Sequence, residues 1–108
     1  MRSNDVAKLA GVTVRTLRHY HQLGLLSEPP RRANGYRDYS PADVARVLRI
    51  KRLAALGFPL SRIGDVLEEM DAEEHATSAS ALDELDRELA LEIARLQEQR
   101  RTIAELRA

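Results

Sequence analysis

The sequence contains no cysteine and only one phenylalanine in 108 residues. Without cysteine, these residues cannot form disulfides, thiolate metal sites or thiol redox sensors. No apolar run approaches the length that crosses a bilayer, and the first residues, Met1 to Asp5, lack the apolar core of a signal peptide. We therefore expect a cytoplasmic protein with no membrane contact.

Sequence motifs of catalysis and cofactor binding are also missing. There is no Gly-rich phosphate loop, no acidic pair with a supporting base and no nucleophile motif. His19 and His21 fall on different faces of one predicted helix, and His75 lies in a predicted linker, so the three do not form a metal cluster. We predict that the chain is not an enzyme and needs no cofactor.

The charges are unevenly distributed, although 17 basic and 17 acidic residues cancel. Residues 1–62 carry twelve Lys or Arg against four Asp or Glu, whereas residues 63–108 carry five against thirteen. A basic segment neutralises phosphates and releases their counterions, and an acidic segment is repelled by the same polyanion. The asymmetry favours a DNA-facing amino-terminal half. The alternative is an ordinary surface with scattered cations.

The first segment has the pattern of two short helices joined by a tight turn. Apolar residues at helical spacing indicate the first helix: Val6, Leu9 and Ala10. This helix is predicted to stop at Gly11. Thr13 is a good N-cap for a second helix, because its hydroxyl can accept from the free N–H groups of the next turn. The pattern predicts a helix-turn-helix.

The second helix of this pair is expected to present cations on its surface. Leu17 is spaced to face inward, whereas Arg15, Arg18 and His19 fall on the other faces. A helix rich in arginine is what the major groove of DNA accepts. The alternative is an αα-hairpin with a solvated, charged face.

Residues 24–39 are predicted to leave the helical pattern. Gly24 suits the left-handed position that ends a helix, and the Pro29-Pro30 pair prevents a new one. Asn34-Gly35 is a strong turn signal, so we predict a two-stranded wing over Leu26–Tyr39. Side chains suited to gripping a phosphate backbone lie at its tip: Arg31, Arg32, Tyr36 and Arg37. The alternative is a solubilising loop.

Two further helices are predicted to complete a small core. Ser40 at the N-cap, Pro41 at the first helical position and Asp43 at the third open one helix, which ends at Gly57. Its core face is expected to contain Val44, Val47, Leu48, Ile50, Leu53 and Ala54, with Arg46, Arg49, Lys51 and Arg52 on the other side. Phe58 is expected to fill the core. The next helix is predicted over Leu60–Met70.

From Ser80 onward, apolar residues follow alternating steps of three and four: Leu82, Leu85, Leu89, Leu96, Ile103 and Leu106. Glu92 and Gln99 occupy two further positions of this heptad seam. Such a narrow seam cannot be buried within one helix and is too long for the small head to cover, so we predict a coiled coil between two copies. The alternative is packing onto its own domain. The seam leaves the direction of pairing open.

These segments together resemble the DNA-binding domain of the MerR family of bacterial transcription regulators. The matching residues are Gly11-Val12-Thr13, Arg15-Thr16-Leu17-Arg18-His19-Tyr20, Gly24-Leu25-Leu26, Pro29, Gly35-Tyr36-Arg37-Asp38-Tyr39-Ser40 and Leu56-Gly57-Phe58-Pro59-Leu60 with Ile63. They occur in the order and spacing of the family, through the pair of helices that it uses as a second wing. His21 departs from the pattern, because the family usually carries an acidic residue there.

The resemblance implies that the helix-turn-helix enters the major groove while the wing grips the flanking backbone. It assigns groove contacts to Thr13, Arg15 and Arg18, and backbone contacts to Tyr20, Tyr36 and Arg37. The full set expected to bind DNA is Thr13, Arg15, Thr16, Arg18, His19, Tyr20, Arg31, Arg32, Tyr36 and Arg37. The resemblance also implies an antiparallel coiled coil, in which Glu92 and Gln99 need not face their own copies.

The expected fold is mainly α: a winged helix-turn-helix head over residues 1–70, a linker over 71–79 and a long coiled-coil dimerisation helix over 80–108. We expect a homodimeric transcription regulator on a palindromic promoter site. By resemblance, it distorts the promoter so that RNA polymerase can engage it. Family members usually carry an effector region beyond this helix, so we expect that region to be absent or truncated.

Two other classes remain open. One is an architectural DNA-bending protein of the excisionase kind, which shares a winged head. The other is a coiled-coil adaptor whose basic face binds an acidic protein.

Overall fold

The computed structural model describes residues 1–72 and 80–108. These parts of the chain contain five α-helices: α1 (Ser3–Ala10), α2 (Val14–Gln22), α3 (Pro41–Ala55), α4 (Leu60–Asp71) and α5 (Ser80–Arg107). They form two compact units, Met1–Asp65 and Val66–Ala108. The mainly helical fold is therefore confirmed, whereas the linker predicted over 71–79 lies, from residue 73 on, outside the described residues.

The turn between α1 and α2 forms where it was predicted. Gly11 adopts a left-handed φ of 69° directly after α1, a conformation that favours glycine because it has no Cβ. Thr13 caps α2, since its Oγ1 accepts from the Thr16 N–H at 3.0 Å. This turn fixes the point at which α2 leaves α1, and α1 packs against both α2 and α3.

Two cations of α3 that were predicted to face away from the core instead bind main-chain carbonyls. Lys51 Nζ donates to the Ala10 oxygen at 3.0 Å, and Arg46 Nε donates to the Leu25 oxygen at 2.7 Å. The last carbonyls of a helix lack partners within the helix, and a cation placed beside them is stabilised. Lys51 therefore connects α3 to the end of α1.

Both ends of α3 agree with the prediction. Ser40 Oγ accepts from the Asp43 N–H at 3.2 Å, and Asp43 Oδ2 accepts from the Ser40 N–H at 2.8 Å. This reciprocal pair is a capping box, with Pro41 at the start of the helix. Gly57, with a φ of 106°, follows the C-cap Leu56.

The core of the first unit is apolar throughout the described residues. Its buried side chains are Val6, Ala7, Ala10, Leu17, Tyr20, Leu25, Leu26, Tyr39, Val47, Ile50, Leu53, Phe58 and Ile63. The core position predicted for Phe58 is confirmed. The core position predicted for Leu48 is wrong, because this side chain is 40% exposed. Val47 and Ile50 define the buried face of α3, and Leu48 lies about 100° around the helix from Val47.

The predicted two-stranded wing is not formed in the described structure. Residues 27–38, here called the proline–arginine loop, contain a single antiparallel bridge between Arg31 and Arg37. The Arg32 N–H donates to the Tyr36 oxygen at 2.8 Å, and the Asp38 N–H donates to the Pro30 oxygen at 2.9 Å. The ladder stops there because Pro29 and Pro30 have no N–H to continue it.

The second unit contains the end of α4 and the whole of α5. Val66 and Leu67 of α4 are buried, as is Ala81 near the start of α5. Leu82 and Leu85 are half-buried, whereas every residue from Asp86 to Ala108 is exposed. The later apolar residues of the seam are among them: Leu89, Leu96, Ile103 and Leu106.

We expect Gly11→Ala to lower the free energy of unfolding by about 1 to 2 kcal/mol. The left-handed φ strains any residue with a Cβ, and a Cβ built at this position lies 2.7 Å from Lys51 Nζ. Lys51 Nζ would then have to shift beside the Ala10 carbonyl. Chemical denaturation followed by circular dichroism measures the loss.

Gly64→Ala is the matched control, because Gly64 lies inside α4 and a Cβ there meets Leu25 Cδ2 at an ordinary 3.5 Å. Alanine is the better helix former, so this variant is expected to be neutral or more stable by up to about 1 kcal/mol. An equal loss of stability in both variants would contradict the role given to Gly11.

Candidate nucleic-acid interface

Helix α2 presents a cationic face that contains no acidic residue. Leu17 and Tyr20 are buried, which turns the opposite side of the helix outward. The outer side chains line one continuous depression: Arg15, Thr16, Arg18, His19 and Gln22. We call this set the α2 face. Its arginines and its amide and hydroxyl groups supply the hydrogen bonds that base edges and phosphates accept.

The α2 face continues into the proline–arginine loop. A second depression is lined by Arg18 and Gln22 from α2, together with His21, Glu28 and Arg37. Arg18 and Gln22 belong to both depressions, so the surface runs from the helix to the loop without interruption. Glu28 is the one carboxylate that lines either of them.

The start of the chain packs beside the same loop. The Arg2 guanidinium stacks over the Tyr36 ring at 4.0 Å, a cation–π contact. The Tyr39 N–H donates to the Met1 oxygen at 2.8 Å. Hydrogen bonds from the amino-terminal ammonium and from Arg32 hold the pKa of Asp38 below its ordinary value. Tyr36 therefore lies among side chains of both charges, with Arg2 stacked on its ring.

His21 joins α2 to the segment that follows it. Its Nδ1 lies 2.9 Å from the Leu26 oxygen, and its Nε2 lies 2.8 Å from the Tyr39 hydroxyl. A carbonyl oxygen only accepts, so Nδ1 carries a proton, and in the neutral ring Nε2 accepts from Tyr39. The imidazole of His21 therefore links α2 to Leu26 and Tyr39. The family that the sequence resembles usually carries an acidic residue at this position.

Glu28 and Arg37 form an ion pair beside the α2 face. Arg37 Nη2 donates to Glu28 Oε1 at 2.7 Å. This hydrogen bond, followed by the charge of Arg37, holds the pKa of the Glu28 carboxyl below its ordinary value. Glu28 is therefore ionised at neutral pH, and Arg37 is neutralised within the chain.

Comparison with known proteins identifies the family. Residues 1–70 match the family described as MerR HTH family regulatory protein. The chain belongs to the MerR family. The N-terminus of the Bacillus subtilis multidrug transporter activator MtaN has a similar structure, with a TM-score of 0.75 and 31% identity. That alignment covers 97% of this chain and 95% of the MtaN chain.

Curated MerR-type relatives are longer than this chain. The HTH-type transcriptional activator TipA of Streptomyces coelicolor is 44% identical over 72 residues, which are 67% of this chain and 28% of TipA. The mercuric resistance operon regulatory protein of Bacillus cereus is 42% identical over 73 residues, which are 68% of this chain and 55% of that protein. MerR-family proteins are transcription regulators rather than enzymes, which confirms the prediction that the chain is not an enzyme.

The structure brings together most of the side chains predicted to bind DNA. Four of them share the α2 face, and Thr13 is exposed at its N-cap. Arg31, Arg32, Tyr36 and Arg37 lie in the loop. Tyr20 is separate, because it is 5% exposed and burial raises the pKa of its phenol. Its ring is part of the core, and the DNA contacts of the whole set stay predictions.

Three side chains of this surface were not predicted from the sequence: Arg2, Gln22 and Glu28. Gln22 was detectable, since it follows Arg18 by four residues and therefore shares its helix face. Arg2 and Glu28 were not, because only the folded chain places them beside Tyr36 and Arg37.

Within residues 1–72 and 80–108, no three histidine, aspartate or glutamate side chains are grouped to hold a metal ion. Across the same described residues, none of the helices combines the length and apolar character that a membrane span requires.

We expect Tyr39→Phe to lower the free energy of unfolding by about 1 kcal/mol. Tyr39 is 3% exposed, and removing its hydroxyl leaves His21 Nε2 without this partner. Thermal and urea unfolding of the variant test the value. Tyr36→Phe is the control, since Tyr36 is 49% exposed and keeps its ring under Arg2. Equal losses in the two variants would exclude a specific role for the Tyr39–His21 hydrogen bond.

Proposed function

We propose that this chain is a homodimeric, sequence-specific transcription regulator that binds a palindromic promoter site. The observation that carries the proposal is the acid-free α2 face, which is continuous with Arg37 and Glu28 of the loop. Membership of the MerR family supports the same function. Promoter DNA is then the main partner, and the protein acts in the cytoplasm.

In this proposal α2 is the recognition helix. Its first turn carries Arg15, and Thr13 and Thr16 are hydrogen-bonded to each other through their hydroxyls at 2.9 Å. Arginine pairs with the O6 and N7 acceptors of guanine, and a hydroxyl bonds to either a base or a phosphate. We assign base contacts to Arg15 and Arg18, with Thr13, Thr16 and His19 at the edges of the same groove.

The proline–arginine loop takes the place of a wing in the proposal. Tyr36 and three arginines of the loop would bind the phosphate backbone beside the α2 face: the exposed Arg31 and Arg32 and the half-buried Arg37. Contacts of this kind fix the position of the protein on the duplex without reading its sequence. Tyr20, whose ring is buried in the core, would support α2 from beneath rather than contact the backbone directly.

Helix α5 is proposed to dimerise. The seam residues from Leu89 onward are exposed in the single chain, although they follow a heptad pattern. Such a stripe is buried when it meets a second one. We therefore assign the interface to the six seam residues: Leu82, Leu85, Leu89, Leu96, Ile103 and Leu106.

Charge favours an antiparallel arrangement of this pair. Residues 80–93 contain five acidic residues and one basic residue, whereas residues 94–108 contain four basic and two acidic residues. Antiparallel copies place each acidic half against a basic half. A parallel pair in register would instead place Glu92 against Glu92 in the seam, where two buried like charges are costly.

The seam residues also match each other in an antiparallel register centred on Ala94. An alignment of Leu82 with Leu106 of the other copy also aligns the remaining positions: Leu85 with Ile103, Leu89 with Gln99 and Glu92 with Leu96. The two polar positions then face apolar ones. In the same register Asp86 and Arg100 of the other copy occupy equivalent positions beside the seam, two residues from direct alignment, and form a flanking pair of opposite charge.

The two heads of such a dimer would read an inverted repeat, with the half-site spacing fixed by the coiled coil. Residues 1–70 form the head in this proposal, 71–79 the linker and 80–108 the dimerisation helix. The family resemblance adds the mechanism. DNA is distorted between the half-sites, and the contacts that the bend permits offset its cost, which lets RNA polymerase engage the promoter.

Selection of bound sites from a random duplex pool tests the function, and Arg18→Ala tests the recognition helix. We expect an inverted repeat to be enriched and Arg18→Ala to weaken binding to it by roughly 1 to 3 kcal/mol, with a smaller effect on random DNA. Fluorescence anisotropy at fixed salt measures both affinities.

Arg52→Ala is the matched control, because Arg52 is an exposed arginine of α3 outside the α2 face. It is expected to change both affinities little. Salt-sensitive binding without any enriched sequence would instead favour the architectural DNA-bending class. An equal loss on specific and random DNA in Arg18→Ala would remove the base contact.

The combined substitution of Leu89→Glu and Leu96→Glu is expected to give monomers in sedimentation equilibrium. It places two charges in the seam, where they cannot be solvated in a dimer. Leu91→Glu is the control, because Leu91 is 73% exposed and lies off the seam. A dimer that survives the double substitution would contradict the interface.

Thiol cross-linking tests the direction, since the chain has no cysteine of its own. The antiparallel register predicts covalent dimers when Leu85→Cys and Ile103→Cys proteins are mixed, and few when either variant is oxidised alone. Efficient cross-linking of each variant with itself would show a parallel pair.

A further inference from the structure

Arg37 already has an anionic partner within the chain. Its Nη2 donates to Glu28 Oε1 at 2.7 Å, and its side chain is only 21% exposed, against 56% for Glu28. The carboxylate is thus more accessible than the guanidinium that it neutralises. A polyanion that approaches this part of the surface meets Glu28 as well as Arg37.

The guanidinium of Arg37 is also incompletely satisfied in this position. Its Nε is buried and has no hydrogen-bond partner. A buried donor without a partner is costly, and most buried donors in folded proteins avoid that state. The ion pair with Glu28 is therefore not the arrangement that satisfies every donor of Arg37.

The Glu28–Arg37 pair lies where the α2 face meets the proline–arginine loop. Glu28 and Arg37 border the same depression as Arg18 and Gln22 of the α2 face. Glu28 is the acidic member of an otherwise neutral or cationic lining. Its charge therefore opposes the phosphates that the neighbouring arginines attract.

We propose that Glu28 is an intramolecular competitor of DNA phosphate for Arg37. In the free protein the carboxylate neutralises Arg37, and on DNA a phosphate oxygen replaces it as the acceptor. The inference rests on the proposed function, since it requires that this surface bind DNA. Glu28 then lowers the sequence-independent part of the affinity, which is shared by specific and random duplexes.

The opposite role, in which Glu28 holds Arg37 in place for a phosphate, predicts the opposite effect of removing the carboxylate. Glu28→Gln keeps the size of the side chain and removes its charge. If Glu28 competes, the variant binds random duplex DNA roughly three- to tenfold more tightly at 50 mM salt. The plot of log affinity against log salt also becomes steeper, by up to about 0.9, because the variant has no carboxylate charge left to offset the charge of Arg37.

The effect must depend on Arg37. We therefore compare wild type, Glu28→Gln, Arg37→Ala and the double variant by fluorescence anisotropy on random and selected duplexes over a range of salt concentrations. The gain from Glu28→Gln is expected to disappear when Arg37 is alanine. Glu98→Gln is the matched control. It removes the charge of one exposed Glu–Arg pair on α5, and Glu98 belongs neither to the α2 face nor to the proline–arginine loop.

Each other result overturns the inference in a distinct way. Weaker binding by Glu28→Gln would make Glu28 a positioning residue for Arg37. An equal gain with and without Arg37 would show only general repulsion between Glu28 and DNA. An unchanged affinity and salt slope would show that Arg37 does not exchange partners. If wild type shows no salt-dependent binding to any duplex, the proposed function fails first, and the inference fails with it.

Discussion

The direction of α2 depends on the turn at Gly11, which follows the Ala10 carbonyl that connects α1 to α3. The left-handed φ of Gly11 ends α1 and leaves the Ala10 oxygen free to accept from Lys51 Nζ of α3. The Thr13 cap then starts α2 two residues later. Because Leu17 is buried against this frame, the opposite face of α2 is exposed as a unit. Every contact proposed for the α2 face requires this geometry.

The basic character of the amino-terminal half is divided among different tasks. Arg46 and Lys51 bind main-chain carbonyls and connect elements of the head. Arg15 and Arg18 lie on the α2 face, whereas Arg37 is paired with Glu28. A net charge counted from the sequence therefore overstates the positive charge available to a polyanion. The net charge also does not distinguish cations that are bound to main-chain carbonyls from cations that face solvent.

Local signals in the sequence predicted the elements of the fold, because caps and turns involve residues close together in the chain. Thr13, the Ser40–Asp43 capping box and the turn at Gly35 are of this kind. The predicted strands of the wing do not form, because a strand pair needs N–H donors on both strands and Pro29 and Pro30 have none. Contacts between distant segments were equally inaccessible: the hydrogen bonds of His21, the stacking of Arg2 on Tyr36 and the partner of Arg37 all depend on the folded chain.

Because most of α5 is exposed, its helical structure and the fold of the head are stabilised in different ways. Every residue from Asp86 to Ala108 is exposed, so that stretch has no packing of its own to stabilise it. Isolated helices are marginal in water, because the cost of nucleation is offset only by packing or length. In the proposed dimer, helicity in this stretch is linked by mass action to association, and its melting temperature rises with protein concentration. The head has a buried core of its own, so such a dimer is not expected to unfold in a single two-state transition.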